Sequence, residues 1–469
     1  MPENNQQPHQ PSLNDVVALC KRRGFVYQTS EIYGGLANSY DYGPMGVEVA
    51  RNIKNLWWKK FITDREDMYG IDSQILLNPE TWVASGHVTS FTDPLVEDRV
   101  THNRYRADHL IAEWIERQDS DQFDDIDVND LTTEEMSQFI TQHQILSPDN
   151  NPVTEPKDFN ILFETAIGAV AGEKSKVYLR GETAQGIFTN FKQVLNSTRA
   201  KLPFGIGQIG KSFRNEITKG QFVFRTLEFE QAEIEYFFNP DKQSWQELFD
   251  NWQGQMLNFV VQDLGINSDH LRWRQHTDRE RSHYSRDTYD LDYQFPFGWD
   301  ELWGIAYRTD YDLKQHMDHS GEKLEYIDPY TQEKIIPHVI EPAAGINRLF
   351  LMVICEAYRQ DGDRLFLDLE PKLAPYKAAV FPLLKNKPEL VDKAQQVYQQ
   401  LKQRFHTTYD ERGNIGKRYL YQDEIGTPFC ITIDFDTLED DTVTVRDRNT
   451  TDQERVAIDQ LEQHLQKMI

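Results

Sequence analysis

Short strand-like segments, separated by turns and by few helices, dominate the middle of the chain. Several lie between residues 177 and 238, and two more precede a helix that ends near Asp361. Strands that follow one another without intervening helices tend to pair in an antiparallel sheet, whereas a doubly wound sheet alternates strands with helices. The pattern therefore predicts an α+β fold in which helices flank an antiparallel sheet.

The organisation around this sheet follows from length and composition. A chain of 469 residues exceeds what one hydrophobic core usually supports, so two or three domains are expected. Residues 1–12 are polar and predict a disordered tail, and residues 13–371 form the main domain. Within it, residues 87–163 are less regular and predict an inserted subdomain. Residues 372–469 alternate strand and helix patterns, which predicts a small α/β domain.

Local signals place two helices. A proline turn at Pro44 precedes apolar residues at helical spacing over residues 47–58, which predicts a long helix. In the insertion, Thr132 and Glu135 have the spacing of a capping box. An acidic run precedes them, and we interpret it as a solvated face rather than a metal site because it lacks the glycine and spacing of a calcium loop. The run consists of Asp119, Asp121, Asp124, Asp125, Asp127 and Asp130.

Charge and cysteine content limit the possible partners and compartment. The net charge of −26 argues against non-specific binding to polyanions, but residues 372–469 carry 14 Lys and Arg against 16 Asp and Glu and are nearly neutral. Nucleic acid is therefore expected near the C-terminal end. Three dispersed cysteines indicate neither a disulfide framework nor a cysteine zinc site, which favours a reducing cytoplasm. No apolar run is long enough for a bilayer, and no signal peptide is predicted.

The strongest chemical signal is the segment Phe213-Arg214-Asn215-Glu216 and, after a predicted turn that contains Gly220, the apparent strand that returns over residues 224–237. Residues two apart on a strand share a face, so Arg214 and Glu216 go together, as do Phe229, Gln231 and Glu233. A guanidinium suits phosphate, an aromatic ring suits adenine, and carboxylates suit an amino or ammonium group. Cross-strand ion pairs on a solvent face explain this segment equally well.

Three further segments favour a nucleotide site. Glu182 follows a glycine turn, and Glu301 and Arg308 lie on one predicted strand. Gly345 begins a helix whose first turn contains Arg348, and the N-terminus of a helix favours phosphate. Together these segments support the catalytic interpretation.

In this order, the segments resemble class II aminoacyl-tRNA synthetases. The Pro44 turn and helix are similar to motif 1, the strand with Arg214 to motif 2, and the Gly345–Arg348 turn to motif 3. More narrowly, residues 31–44, 82–87, 182–188 and 303–313 resemble the homodimeric glycyl-tRNA synthetases. The resemblance extends over nearly the whole chain, including an anticodon-binding domain at residues 372–469.

The resemblance implies an ATP site with magnesium. Arg214 is expected at the α-phosphate, Glu216 at adenine, Phe229 stacked on adenine, Glu301 near the magnesium ion, and Arg348 at the γ-phosphate. Arg214, Arg348 and Glu301 are the implied catalytic residues. The full implied ATP site comprises Arg214, Asn215, Glu216, Phe224, Arg225, Thr226, Leu227, Glu228, Phe229, Glu301, Leu302, Gly345, Ile346, Asn347 and Arg348.

It also implies a glycine site in which acids hold the ammonium group in a pocket too small for a Cβ substituent. That site comprises Arg106, Glu182, Phe229, Glu230, Gln231, Ala232, Glu233, Arg308, Glu341, Ala343 and Gly345. Two departures stand out. Ala343 replaces a serine that is common in the family, and residues 98–103 lack the cysteines of a metal knot, so no structural zinc is expected.

The implied function is a glycine–tRNA ligase that forms glycyl-adenylate from glycine and ATP and then charges tRNA(Gly). Its expected state is a cytoplasmic homodimer without membrane contact. Two alternatives remain: a class II synthetase for another small amino acid, and a non-catalytic nucleic-acid-binding paralogue such as a DNA polymerase accessory subunit. Retention of Arg214, Glu216, Glu301 and Arg348 argues against the paralogue.

Overall fold

The computed structural model describes residues 11–118, 123, 126–168, 175–217, 221–277, 281 and 285–469. Parts of three predictions lie outside these residues: residues 1–10 of the tail, the turn at Gly220, and Asp119, Asp121, Asp124 and Asp125 of the acidic run.

The N-terminal region provides the helix that was predicted after the proline turn. Pro44 occupies the first turn of that helix, where its missing N–H costs nothing. The elements here are α1 Leu13–Arg23, β1 Val26–Gln28, β2 Tyr40–Tyr42, α2 Pro44–Trp58 with a π-helical turn over Lys59–Thr63, β3 Met68–Gly70 and α3 Pro79–Ala84.

Residues 87–163 fold around an apolar cluster of their own, which includes Ile111, Ile140 and Trp114. The predicted capping box is confirmed, because the Thr132 hydroxyl accepts a hydrogen bond from the Glu135 N–H and the Glu135 carboxylate accepts one from the Thr132 N–H. The elements are α4 His87–Ser90, β4 Thr92–Glu97, β5 Arg104–Arg106, α5 Ala107–Glu116, α6 Thr133–His143 and β6 Lys157–Asn160, with sheet order β5-β4-β6.

The central part of the chain is rich in long strands. Its elements are β7 Glu164–Ile167, β8 Ser175–Tyr178, α7 Ala184–Thr198, β9 Phe204–Phe213, β10 Glu228–Phe238, α8 Trp245–Asn258, β11 Leu271–Gln275, β12 Asp287–Phe295, β13 Gly298–Thr309, α9 Tyr311–Ser320, β14 Tyr326–Ile327, β15 Lys334–Ile335, β16 His338–Gly345, α10 Ile346–Ala357, β17 Tyr358–Asp361 and β18 Arg364–Leu367.

These strands build a seven-stranded sheet in the order β11-β12-β13-β16-β10-β9-β3. Every neighbouring pair is antiparallel except β3 with β9, so the predicted antiparallel sheet is confirmed. Ala232 and Ile234 of β10 face the main core, which α2, α8 and α10 complete. Phe237 faces a second apolar cluster with α7 and α9. Helices therefore cover both faces, and the odd-numbered side chains of β10 share the α7 side.

One detail of the predicted hairpin is wrong. The returning strand begins at Glu228 rather than at Phe224, because residues Phe222–Phe224 form a buried 3₁₀ turn that starts at a positive φ of 54°. The outgoing strand ends at Phe213, so Arg214 and Glu216 lie just beyond it. Backbone pairing still holds this segment, since the Arg214 N–H donates to the Leu227 carbonyl at 3.1 Å.

The C-terminal residues form a five-stranded sheet in the order β20-β19-β21-β22-β23, with β19 parallel to β20 and β21. Its elements are β19 Ala378–Pro382, α11 Pro388–Leu401, β20 Thr407–Tyr409, α12 Ile415–Ile425, β21 Phe429–Ile433, α13 Phe435–Asp440, β22 Thr442–Asp447, β23 Gln453–Ala457 and α14 Leu461–Gln466. Ion pairs join it to the main domain, notably Arg364 with Asp423 at 2.9 Å and Arg23 with Glu424 at 2.7 Å. Within the described ranges, no helix has the length and apolarity that a bilayer crossing requires.

Candidate active site

A cleft opens on the α7 side of the seven-stranded sheet, where β9, β10, β13 and β16 lie side by side. Its lining consists of Glu182, Arg214, Glu216, Phe224, Arg225, Thr226, Phe229, Gln231, Glu233, Glu301, Gly304, Glu341, Ala343, Gly345, Asn347 and Arg348. Every one of these residues except Gly304 is among those predicted from the sequence. The fold therefore brings together side chains that are up to 166 residues apart in the chain.

Strand register explains this convergence. Opposite residues in neighbouring antiparallel strands point to the same face, and Ala343 of β16 lies opposite both Glu233 of β10 and Gly304 of β13. Gly345 lies opposite Gln231. The row across the cleft floor is therefore glycine, alanine and glutamate, which leaves space beside the Glu233 carboxyl group.

One half of the cleft is lined by arginines. The Arg214 guanidinium lies between the rings of Phe91 and Phe229, 5.1 and 5.3 Å from their centroids, and its Nε donates to the Gly181 carbonyl at 3.1 Å. Arg348 lies in the first turn of α10, as predicted, and 4.5 Å from the centroid of Phe224. These contacts fix two guanidinium groups at the positions where an anionic ligand needs them.

Glu301 completes this half. Arg348 donates to its carboxylate at 2.9 Å. Burial opposes ionisation, but the charges of Arg348, Arg214 and Arg225 lower the pKa of Glu301 to about 2. Behind it, burial and the Glu301 charge raise the pKa of Asp290 to about 6, although His276 and Arg274 pair with Asp290. Ionised Glu301 thus offers the kind of oxygen that Mg²⁺ prefers.

The other half of the cleft is lined by acids. Glu182 is held by His87 at 3.3 Å and by the Gln185 amide at 3.0 Å, and Glu233 accepts a hydrogen bond from the Thr183 hydroxyl. Glu341 accepts one from Arg308 at 2.8 Å. All three carboxyl groups are buried, so this half is suited to a small cation.

The three carboxyl groups differ in the direction or size of their pKa shifts. Burial alone would raise the pKa of Glu182, but His87 and Arg308 hold it well below its usual range. Burial and the charges of Glu341 and Glu182 raise the pKa of Glu233 well above its usual range. Burial also raises the pKa of Glu341, against the opposing charge of Arg308. Without a bound cation, Glu182 is ionised and Glu233 is the acid most disposed to hold a proton.

Other residues predicted for the glycine site lie behind the lining or elsewhere. Arg308 is buried beneath the cleft, where it bridges Glu341 and Asp312. Arg106 lies in the insertion and pairs with Asp93 at 3.0 Å and with Asp108 at 2.5 Å.

The remaining predicted residues sit on the core face or beside the cleft. Glu230 points to the opposite face of β10 and pairs with Lys54 of α2 at 2.9 Å. Ala232, Leu302 and Ile346 are buried in the main core. The last three contribute backbone contacts or surface pairs: Asn215 donates its N–H to the Ile161 carbonyl, Leu227 accepts from Arg214, and Glu228 pairs with Lys211.

Several polar residues that support the site were missed. His87 and Gln185 hold Glu182, Asp312 holds Arg308, and Asp290 lies behind Glu301. His87, Gln185 and Asp312 lie in the segments that carry the family resemblance, but they received no role there. Asp290 contacts the site only through tertiary structure and gave no local signal.

Comparisons with known proteins agree with this geometry. The model of the tRNA synthetase class II core domain (G, H, P, S and T) matches residues 169–421, and that of an anticodon binding domain matches residues 377–468. A glycine–tRNA ligase of Caldanaerobacter subterraneus subsp. tengcongensis is 50% identical over 468 residues, covering 98% of this chain and 99% of the relative. Those of Clostridium acetobutylicum and Bacillus cereus are 49% and 48% identical, and each alignment covers 98% of this chain and 99% of the relative.

Proposed function

Because the chain belongs to the glycine–tRNA ligase family of class II aminoacyl-tRNA synthetases, we propose that it activates glycine with ATP and transfers the glycyl group to the 3′ end of tRNA(Gly). One observation carries the proposal. One cleft is lined by arginines, which include Arg214 and Arg348, and by the three buried acids, and the small residues Gly304 and Ala343 lie on its floor beside Glu233. This combination matches the two ligands, a polyphosphate and an amino acid that presents its ammonium group.

The first step needs positioning and charge stabilisation rather than a protein nucleophile. A carboxylate oxygen of glycine attacks the α-phosphorus of ATP, the bond between that phosphorus and the α,β-bridging oxygen breaks, and the β- and γ-phosphates leave as pyrophosphate. Arg214 stabilises the charge that develops on the α-phosphate, and Arg348 holds the γ-phosphate. Magnesium, which Glu301 would hold, neutralises phosphate charge when it is bound with ATP.

Selection of glycine follows from charge and space. Glu182, Glu233 and Glu341 bind the ammonium group, and the small residues Gly304 and Ala343 leave the room that the substrate occupies. An amino acid with a side chain must fit its Cβ group into the same limited space beside Gly304 and Ala343, which costs binding energy in the transition state. The same acids that attract the ammonium group thus determine where the α-carbon lies.

The second substrate is tRNA. A ribose hydroxyl of its 3′ end attacks the adenylate, AMP leaves, and the C-terminal sheet binds the anticodon. The match of residues 377–468 to an anticodon binding domain supports this assignment. Charging of tRNA(Gly) transcripts with substituted anticodons should fall, while adenylate formation without tRNA stays unchanged. An equal rate of charging for all anticodons would contradict the assignment.

The central test is pyrophosphate exchange with glycine, alanine and serine as separate substrates. We expect exchange that depends on glycine and ATP, with much weaker exchange for the other two. Preference for alanine or serine would assign the chain to another small amino acid. Absence of exchange together with binding to primer–template DNA would favour the non-catalytic accessory subunit.

We also infer a homodimer. Ile32 and Tyr33, in the 3₁₀ turn between β1 and β2, are 88% and 87% exposed, which is unusual for large apolar side chains on one short turn. A second copy of the chain would cover them. Light scattering should give twice the chain mass for the wild type and a lower mass for the Ile32→Asp, Tyr33→Asp double variant.

Tyr330→Asp serves as a control in this experiment, because Tyr330 is also exposed but lies on a different part of the surface. It should leave the mass unchanged. A monomeric wild type would overturn the inference. For location, the three cysteines are unpaired and buried, which fits a reducing cytoplasm.

A further inference from the structure

Glu235 is a buried carboxyl group to which the proposed function gives no role. It lies on β10 two residues beyond Glu233, and its exposed fraction is 0%. Neither of its carboxyl oxygens has a hydrogen-bond partner in the described part of the chain. It is also absent from the cleft lining, so it lies behind the acids that face the substrate.

Strand register places this group against the glycine site. Glu233 is opposite Ala343 and Tyr236 is opposite Ile340, so the same register sets Glu235 opposite Glu341. One carboxyl oxygen from each of Glu233, Glu235 and Glu341 lies within 4.8 Å of the other two. The third acid is therefore close enough to influence the two that contact the ammonium group.

The surrounding charges determine the state of Glu235. Arg308 of β13 is the nearby cation, but it donates to both oxygens of Asp312 and to Glu341 rather than to Glu235. Burial first, and then the charges of Glu341, Glu233 and Asp312, raise the pKa of Glu235 well above its usual range, with Arg308 opposing them. A buried ionised carboxylate without a hydrogen-bond donor from the protein is strongly disfavoured.

On the basis of the proposed glycine site, we propose that Glu235 is a positioning residue: it remains a neutral carboxylic acid and donates its hydroxyl to Glu341 through one bridging water molecule. That bridge holds the Glu341 carboxylate toward the ammonium group. The neutral state also explains how the site accommodates a third acid. A protonated Glu235 adds a hydrogen-bond donor but no third negative charge beside Glu233 and Glu341.

A bound metal ion is the main competing explanation for three carboxyl oxygens at this spacing. The position of Glu235 behind the lining argues against it, because an ion that enters through the cleft meets Glu233 and Glu341 first. A proton on Glu235 is therefore the simpler way to neutralise the third carboxyl group.

Two substitutions separate these roles. Glu235→Gln keeps the shape, the neutrality and a donor, whereas Glu235→Leu keeps the bulk and removes the donor. In pyrophosphate exchange, the Gln variant should keep the KM for glycine within about twofold of the wild type. The Leu variant should raise it by about tenfold, the usual cost of one hydrogen bond to a charged group, with the KM for ATP unchanged.

Equal increases in both variants would overturn the proposal, because they would show that the negative charge of Glu235 is needed. An unchanged KM in the Leu variant would also overturn it, because no positioning would then be required. Thermal unfolding of both variants checks that the sheet is intact. Glu230→Gln, on the opposite face of the same strand, controls for a change of charge on β10.

A measurement independent of activity completes the test. The infrared C=O band of a protonated carboxylic acid should be present in the wild type saturated with glycine and reduced in Glu235→Gln. The proposal would be overturned if the two spectra did not differ. It would also be overturned if the wild type bound stoichiometric Mn²⁺ without ATP and Glu235→Gln abolished that binding. If the wild type did not exchange pyrophosphate with glycine, the proposed function would be wrong. The infrared result would still report whether Glu235 is protonated.

Discussion

The two halves of the cleft lie on one sheet face but handle charge in opposite ways. In the arginine half, Arg348 is already paired with Glu301, whose low pKa keeps it ionised at any working pH. In the acid half, carboxyl groups outnumber the cations beside them, and the pKa of Glu233 is raised by burial and by its acidic neighbours. The arginine half therefore keeps its charges fixed, whereas the raised pKa of Glu233 favours a proton in the acid half until a cation binds.

This difference predicts that ATP and glycine are bound through different physical interactions. In the proposed function, phosphate binds to fixed positive charges whose geometry is set by stacking on Phe91, Phe224 and Phe229. The proposed ammonium site would instead work by an exchange of cations, in which the substrate replaces a proton on buried acids. Substitutions in the first half should therefore affect chemistry most, and those in the second should affect glycine binding most.

The largest expected effect is in the arginine half. Arg214→Ala should lower kcat/KM in glycine-dependent pyrophosphate exchange by about 10²- to 10³-fold, as the loss of a preorganised charge at the reacting phosphate does in other enzymes. Arg404→Ala, which removes an exposed arginine of the C-terminal sheet, is the matched control and should have no effect. A loss of less than fivefold for Arg214→Ala would remove it from the catalytic residues.

A smaller effect is expected in the acid half. Glu233→Gln should raise the KM for glycine about 10- to 100-fold, because one charge-assisted hydrogen bond to the ammonium group is lost. The KM for ATP should change little. Glu230→Gln, one strand face away and paired with Lys54, should leave the KM for glycine unchanged. Equal effects of the two substitutions would contradict the predicted division of β10 into two faces.

The pH dependence should distinguish the halves without any substitution. Burial and the charges of Glu341 and Glu182 raise the pKa of Glu233, and the ammonium group favours the ionised form, so glycine binding should release a proton at a pH below the raised pKa. The KM for glycine should therefore rise as pH falls, by up to about tenfold per pH unit below the raised pKa of Glu233. Glu301 stays ionised and adds no such dependence to ATP binding. Calorimetry in two buffers of different ionisation enthalpy measures the released proton, and its absence would contradict the cation exchange.

The smallest effect concerns Ala343, which replaces the serine common in the family. Ala343→Ser adds a hydroxyl opposite Glu233 and should improve discrimination of glycine over alanine by about three- to fivefold, the value of a single neutral hydrogen bond. Ala344 faces the core, so Ala344→Ser should lower the unfolding temperature and leave the ratio unchanged. No gain in discrimination would show that the serine is dispensable in this chain.

The sequence predicted those parts of the molecule that depend on local physics. The helix after Pro44, the capping box at Thr132 and the helix that starts after Gly345 follow from backbone chemistry, and the structure contains all three. The period of two on β10 placed Phe229, Gln231 and Glu233 on one face, as the cleft lining confirms. The family and its fold came from the resemblance, and the comparisons confirm both.

What the sequence could not supply depends on packing or on distant contacts. The aromatic residues of Phe222–Phe224 have strand propensity, but burial against the main core turns them into a helical turn. His87 reaches Glu182 only after the insertion folds back onto the sheet. The period of two also places Glu235 on the cleft side of β10, but it cannot show that Glu235 lacks hydrogen-bond partners. That lack depends on Arg308, which donates to Asp312 and not to Glu235.

The alternation of β10 has a consequence for how the chain tolerates errors. Because the substrate-facing and core-facing residues alternate, inserting or deleting one residue within Glu228–Phe238 would exchange the two sets from that point onward. Acids would then enter the main hydrophobic core, while Ala232 and Ile234 faced the cleft. Insertion or deletion of one codon in this stretch should thus be far less tolerated than the same change in a surface loop. A deep mutational library that covers these eleven codons would measure the difference.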